Sequence, residues 1–345
     1  MAYVFLLIVG LLVINLVLLL YLLFQKQIAQ QHARKKEALT VELIKVVEDV
    51  ARGRIEDIPL KYKRTSLFYS VLEETISHYL QIFNDEQAKK HLKVLCQSEF
   101  TSIYRKRLKS GVWSERMNAL YYTEEFEMTS LKNEIWNYFQ TNRASIEEKY
   151  QMIRTLAKLN DKRIVEQVKK SPNWPTFLLK ECFRRFEISM LMYLMKNHLE
   201  ELNENVQLAL LDIAMETKEQ SFLPFFDQLL FSEFQEVRVR ALKAISEYEH
   251  TSKEEELTIF HQSEFWVERM MFARVAGQLK RKRYSSALVT LLSDESWWVR
   301  QAAAEALANY EDGLLILEYV YETSDDPFAR DTAYQWLGEA VGEIK

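Results

Sequence analysis

The sequence contains little glycine, proline and cysteine. Its 345 residues include only 7 Gly and 5 Pro, whereas this pair averages roughly 12% of residues in proteins. Turns of special geometry depend on these two residues, so the shortage predicts few such turns and argues against a hairpin-rich β protein. It also leaves little material for a glycine-built phosphate loop. The 2 Cys cannot build a disulfide framework.

Sequence motifs for chemistry are also missing. None of the 6 His is followed directly by Glu, and Cys96 and Cys182 each lack a second cysteine nearby. Neither a dinucleotide-binding glycine motif, nor a phosphate-binding loop, nor a G-x-S-x-G elbow occurs. The net charge of -5 argues against a generic nucleic-acid binder. The sequence therefore predicts no catalytic residue, no metal site and no cofactor.

The first uncharged run is long enough to span a membrane. Residues 2–24 carry no charge, and a helix of that length extends about 34 Å, more than the roughly 30 Å of a bilayer core. A cleaved signal would have a basic start, a shorter apolar core and a small-residue cleavage site. Four basic residues follow the run, at Lys26, Arg34, Lys35 and Lys36. By the positive-inside rule, we expect a single-pass cell-membrane protein with residues 25–345 in the cytoplasm.

One polar residue, Asn15, lies near the centre of this transmembrane segment. An asparagine amide in a bilayer can form a hydrogen bond with a second helix. Asn15 therefore indicates either pairing of membrane helices or a single polar residue tolerated in a very apolar helix.

Helical periodicity dominates the chain after this segment. Apolar residues recur at helical spacing over 26–53, 65–83 and 85–109, and no stretch shows sustained alternation. Residues 25–112 are therefore predicted to form a helical juxtamembrane region.

An internal period of about 31 residues marks the carboxy-terminal half. Arg238, Arg269, Arg300 and Arg330 are spaced by 31, 31 and 30 residues, and small or apolar residues follow each at +3, +6 and +7. Weaker copies lie at Arg116, Glu147, Thr176 and Gln207. This spacing turns one helical face inward, and each unit holds a second apolar helix. A lone hairpin of about 30 residues cannot bury its apolar face, so stacked hairpins are expected.

The segment from Asp294 to Leu307 reads DESWWVRQAAAEAL, and it resembles the HEAT-repeat signature, especially the short bacterial form. The resemblance implies an all-α fold, a right-handed α-solenoid of helical hairpins over 113–345, clearest over 233–341. It also implies a structural role for Arg238, Arg269, Arg300 and Arg330. Glu268 and Ala329 depart from the family's Val-Arg pair. HEAT repeats mainly build surfaces, so the resemblance does not identify a partner.

Basic runs and aromatic pairs provide the candidate contact residues. Lys61, Lys63 and Arg64, together with Arg105, Lys106 and Arg107, form runs that would contact anionic lipid. Solvated helix ends or a nucleic-acid groove, joined by residues 280–283, are the alternatives. Exposed tryptophan is favoured at interface hot spots, so the candidate partner contacts are Trp266, Trp297 and Trp298.

These observations predict a membrane-anchored cytoplasmic scaffold without enzymatic activity. Its solenoid surface would bind a protein partner, itself expected to be membrane-associated. The alternatives are a small-molecule-binding or enzymatic HEAT-like protein of the lyase type, and a tethered nucleic-acid binder. A lyase would need a buried cluster of polar side chains, whereas a nucleic-acid binder would need its basic runs on one surface.

Overall fold

The computed structural model describes residues 2–170 and 174–342, and these residues are helical without a β-strand. The prediction of an all-α fold is thereby confirmed. The chain divides into two compact units, Met1–Leu159 and Asn160–Lys345. The helices of unit 1 are α1 (Ala2–Ala51), α2 (Ser66–Ile82), α3 (Glu86–Ser110), α4 (Trp113–Glu125), α5 (Lys132–Phe139) and α6 (Ile146–Lys158). The helices of unit 2 are α7 (Arg163–Lys170), α8 (Thr176–Phe183), α9 (Ile188–His198), α10 (Glu204–Thr217), α11 (Leu223–Leu229), α12 (Gln235–Tyr248), α13 (Trp266–Leu279), α14 (Ser285–Leu291), α15 (Trp297–Ala308), α16 (Gly313–Thr323) and α17 (Pro327–Gly342).

Helix α1 is one continuous helix of 50 residues. It joins the apolar run to the following helix because Gln25, Lys26 and Gln27 are good helix formers and no proline or glycine interrupts them. By length and composition, α1 can cross a membrane, and its apolar window contributes nothing to the protein core. The predicted boundary between 24 and 25 falls inside this helix, so the domain limits 2–24, 25–112 and 113–345 stay predictions; residues 343–345 lie outside the described residues.

The carboxy-terminal end of α1 belongs to the core of unit 1. Leu43 and Val47 are fully buried where α1 packs against α2 and α3. Local sequence determines where those two helices begin. The Thr65 hydroxyl accepts a hydrogen bond from the Phe68 amide, and the Asp85 carboxylate caps α3 in the same way.

The 31-residue period coincides with helix starts throughout the repeat region. The eight positions lie within the first four residues of α4, α6, α8, α10, α12, α13, α15 and α17. Between them lie second α-helices or, after α12, a 3₁₀ helix at Glu256–Gln262. Close stacking requires small residues: a Cβ at Gly277 of α13 would lie 2.9 Å from Ala306 on α15.

The turns that end these helices are made without glycine. Lys218, Glu249 and Lys280 adopt left-handed conformations with φ of 56°, 52° and 52°, and they follow one another at steps of 31 residues. A left-handed residue at this place reverses the chain and ends a helix. The scarcity of glycine predicted few turns of special geometry, but lysine and glutamate adopt that geometry here at a cost of about 1 kcal/mol each.

Candidate partner-binding surface

Three of the four repeat arginines hold the loop that precedes their own helix. Nη1 of Arg238, Arg269 and Arg300 donates to the carbonyl oxygens six and five residues earlier in the chain. These carbonyls belong to Ser232 and Glu233 (2.9 and 3.1 Å), Ser263 and Glu264 (2.8 and 3.3 Å), and Asp294 and Glu295 (2.7 and 3.2 Å). Each guanidinium thereby holds the loop at the amino-terminal end of its own helix in place.

Two of these arginines also bind a buried carboxylate further along the chain. Arg238 Nε donates to Glu268 Oε1 at 2.8 Å. Arg269 donates to both oxygens of Asp294, at 2.6 and 3.0 Å, a bidentate geometry of high specificity. In the sequence, Glu268 departs from the Val-Arg pair of the family. In the fold, its carboxylate forms the ion pair with Arg238. Glu268 is only 3% exposed, and its carboxylate is stabilised there by that ion pair and by a hydrogen bond from the Ser263 hydroxyl.

Arg300 and Arg330 have different surroundings. Arg300 is 8% exposed, and its buried Nε has no hydrogen-bond acceptor among the described residues. The Phe328 ring lies over its guanidinium, with the ring centroid 4.8 Å from Cζ. Arg330 is exposed and forms no ion pair with a described residue. A structural role for the four arginines stays a prediction, since it is a statement about stability.

The predicted tryptophans lie exposed at the same edge. Trp266, Trp297 and Trp298 are 42%, 50% and 58% exposed, and the last two rings meet edge-to-face at 4.7 Å. Both rings remain outside because they precede Val299, the first buried residue of α15. Two further exposed rings were not selected from the sequence: Phe231 before α12 and Phe328 at the start of α17. We refer to Phe231, Trp266, Trp297, Trp298 and Phe328 as the aromatic edge.

Two grooves open on either side of Phe231. The larger has a volume of about 590 Å³ and includes Glu200, Glu233 and Lys253 in its walls. The second, of about 490 Å³, reaches Phe265 and shares Phe231 and Ser232 with the first. Each groove includes part of a loop that an arginine holds: Ser232 and Glu233 line the first, and Ser263 and Glu264 line the second. Of the aromatic edge, Phe231 lines both grooves, whose walls carry charged and apolar side chains, as protein–protein interfaces do.

The predicted lipid-contact residues lie in unit 1 and are only partly available. Arg64 pairs with Glu99 at 2.7 Å, Arg105 with Glu134 at 2.6 Å and Arg107 with Glu73 at 2.8 Å. Lys61, Lys63 and Lys106 have exposed side chains. Contact of these six residues with lipid stays a prediction. Asn15 is exposed on α1, which leaves its amide accessible to a second helix.

Two buried thiols and one buried carboxyl group have raised pKa values. Cys96 and Cys182 are buried, and burial raises the pKa of both thiols. Burial also raises the pKa of Glu73, against the opposing charge of Arg107. Among residues 2–170 and 174–342, no group of three or more His, Cys, Asp or Glu side chains is arranged to hold a metal ion. The absence of enzymatic activity stays a prediction.

A family model described as HEAT repeats matches residues 254–338. Residues 254–338 therefore carry HEAT repeats. The matched segment lies within the predicted range 233–341 and contains Trp266, Trp297, Trp298 and Phe328, so most of the aromatic edge belongs to the HEAT repeats. Such repeats generally mediate protein–protein interactions.

Other comparisons add less. No curated protein matches the chain. Among solved structures, an engineered protein determined as a Northeast Structural Genomics Consortium target is similar over 80% of both chains, with 15% identity and a TM-score of 0.28. A likeness at that TM-score supports no inference about this chain.

Proposed function

We propose that this HEAT-repeat protein is a membrane-anchored cytoplasmic scaffold that binds a protein partner through the aromatic edge. The observation that supports the proposal most directly is the row of half-exposed rings at the starts of α13, α15 and α17. Large aromatic side chains supply most of the binding energy at many interfaces. Their exposure in an isolated chain indicates that they are covered in a complex.

The apolar part of α1 supports the membrane anchor. Its flanking basic residues favour a cytoplasmic location for both units. A shared membrane raises the effective concentration of a membrane-bound partner without any additional contact. We therefore infer that the partner is itself a membrane protein. Lys61 and Lys63 would strengthen the attachment by about 1 kcal/mol each if they lie close to anionic lipid.

Photo-crosslinking in intact membranes of the native cell tests this function. The photoreactive residue p-benzoylphenylalanine replaces Trp297 in one full-length variant and Trp298 in another. A matched control carries it at Tyr319 of α16, which is 66% exposed and lies outside the aromatic edge. We expect one membrane protein to be captured from both edge positions and not from Tyr319.

Three results would contradict this proposal. Equal capture from all three positions would mean that the aromatic edge has no special role. Absence of any captured protein would favour a small-molecule-binding or lyase-type protein. Recovery of nucleic acid with steep salt dependence would instead support the tethered nucleic-acid binder.

A further inference from the structure

The Nε atoms of three arginines near helix starts share one kind of partner, a carboxylate. Arg116 Nε binds Glu148 at 2.6 Å, Arg238 Nε binds Glu268 at 2.8 Å and Arg269 Nε binds Asp294 at 2.6 Å. Arg300 occupies the same place in its own helix and holds the same two preceding carbonyls. Its Nε is nevertheless buried and has no acceptor among the described residues. A buried donor of this kind requires an explanation, because leaving it unpaired is costly.

The missing partner has an identifiable cause in the sequence. Asp294, the ligand of Arg269, lies six residues before Arg300, and Ser324 lies six residues before Arg330. The two residues have the same local role. The Ser296 amide donates to Asp294 Oδ1 at 2.8 Å, and the Asp326 amide donates to Ser324 Oγ at 3.2 Å. The loop is thus preserved, but serine supplies no carboxylate for Arg300.

Neighbouring acidic groups do not replace that carboxylate. Asp326 caps α17 through the Phe328 amide at 2.9 Å and forms no ion pair with Arg300. That hydrogen bond is the main reason that the pKa of Asp326 is low, and the charge of Arg300 contributes less. Glu295 binds Arg269 at 3.3 Å. Among the described residues, the positive charge of Arg300 therefore lacks a direct counter-ion, and exposed aromatic rings lie next to it.

We propose that Arg300 binds an acidic side chain of the protein partner, flanked by apolar residues that pack on Trp297 and Trp298. This inference rests on the proposed function and adds the chemistry of the partner. Phe328 lies over the guanidinium in the free protein and is 62% exposed, so its ring has space to move aside. A carboxylate would then complete the arrangement that Glu268 and Asp294 give to Arg238 and Arg269.

Binding of a fluorescent peptide to the full-length protein in detergent micelles tests the inference. The probe is the fluorescein-labelled, amidated peptide Gly-Leu-Asp-Phe-Gly, and its matched control replaces Asp by Asn. Binding is followed by fluorescence anisotropy. We expect the wild type to bind the Asp peptide about tenfold more tightly than the Asn peptide, because a charge-assisted hydrogen bond is made only with the carboxylate.

The variant Ser324→Asp supplies a carboxylate from within the chain and leaves Arg300 in place. We expect it to raise the melting temperature and to abolish the preference for the Asp peptide, whereas Ser324→Ala should retain the preference. Equal binding of both peptides to the wild type, or an unchanged preference in Ser324→Asp, would overturn the inference. A third result would also overturn it: neither peptide binds the wild type, although Ser324→Asp has a higher melting temperature. Arg300 would then be an unpaired arginine at the end of the series of ion pairs and not a binding site.

The inference and the proposed function can fail separately. Capture of a membrane protein at Trp297 that is equally efficient in Ser324→Asp would preserve the scaffold and reject the carboxylate site. Specific binding of the Asp peptide without any captured membrane protein would preserve the carboxylate site and reject the scaffold.

Discussion

Arg116 in unit 1 and Arg269 in unit 2 make the same contacts in different sequence surroundings. Each donates through Nη1 to a preceding carbonyl, and each donates through Nε at 2.6 Å to a buried carboxylate. Only Arg269 lies in the segment that the HEAT-repeat family matches. The contact geometry therefore occurs outside the segment that carries the HEAT sequence signature. At Arg116, the carboxylate of Glu148 accepts the hydrogen bond that Asp294 accepts from Arg269.

Other pairs in unit 1 lack this regularity. Arg64 binds Glu99, which lies 35 residues later, whereas Arg107 binds Glu73, which lies 34 residues earlier. The first pair joins the loop before α2 to α3, and the second joins α3 to α2, but neither pair follows a repeated sequence position. Both units thus contain arginine–carboxylate pairs, and Arg64 and Arg107 lie outside the period that Arg116 and Arg269 follow.

Deletion of residues 2–24 is expected to have the largest effect, because it removes the apolar run and leaves the rest of both units. We expect the protein to leave the membrane fraction entirely, because no other described helix is long and apolar enough to span a bilayer. Carbonate extraction measures the location, and circular dichroism should show a helical, cooperatively melting fragment. Aggregation or loss of helicity would mean that the apolar run is part of the fold.

Arg269→Ala and Arg116→Ala compare the two units directly. Each change leaves a buried carboxylate without its partner, so we expect a loss of about 3 kcal/mol in the free energy of unfolding for both. Urea denaturation of the full-length protein in detergent micelles measures it. The control Arg330→Ala removes an exposed arginine and should change stability by less than about 0.5 kcal/mol. A loss confined to Arg269→Ala would show that the contact at Arg116 is not equivalent.

Arg300→Ala should have an intermediate effect. The change removes the hydrogen bonds to the Asp294 and Glu295 carbonyls and the stacking on Phe328, but it leaves no carboxylate unpaired. We expect a loss of about 1–3 kcal/mol, below that of Arg269→Ala in the same urea titration. An unchanged unfolding midpoint would show that these carbonyls do not depend on Arg300.

Acid should weaken unit 1 through Glu148. Burial alone would raise the pKa of this carboxyl, but hydrogen bonds from Arg116 and the Ser145 amide prevail and lower it below the ordinary value of 4.5. A lowered pKa in the folded protein means that the stabilisation is complete above pH 4.5 and is lost as the pH falls through the folded value. We expect the stability of Glu148→Gln to fall less steeply than that of the wild type below pH 4.5. Parallel urea midpoints from pH 6 down to about 3 would contradict the assignment.

The smallest expected effect has the opposite sign. Lys280→Gly relieves a left-handed lysine at the end of α13, so we expect a gain of about 0.5 kcal/mol after the larger chain entropy of glycine is subtracted. Lys243→Gly, the same change on the exposed face of α12, should instead cost about 1 kcal/mol. Equal effects at the two positions would show that the backbone conformation of Lys280 is not the cause.

The sequence predicted the features that follow from periodicity. Apolar spacing placed α2 and α3 to within a few residues, and the 31-residue period located the helix starts from Arg116 to Arg330. It did not predict the pairing of Glu268 with Arg238. A charged residue at a usually apolar position departs from the repeat pattern, and the sequence alone does not show which residue neutralises its charge. It also did not predict the left-handed Lys218 and Glu249, since neither side chain signals that conformation. The role of Ser324 emerged only from the contacts of Asp294.

The continuity of α1 also sets a distance. From Phe24, the end of the apolar run, to Leu43, the first fully buried residue of the helix, is 19 residues, which corresponds to about 28 Å of helix at 1.5 Å per residue. In the proposed arrangement, this rod holds the core of unit 1 up to that height above the edge of the hydrocarbon core, and the headgroup layer occupies the first part of the distance. A client whose cytoplasmic loops stay close to the bilayer would pass beneath it, whereas one with a projecting domain or a long tail would be within reach.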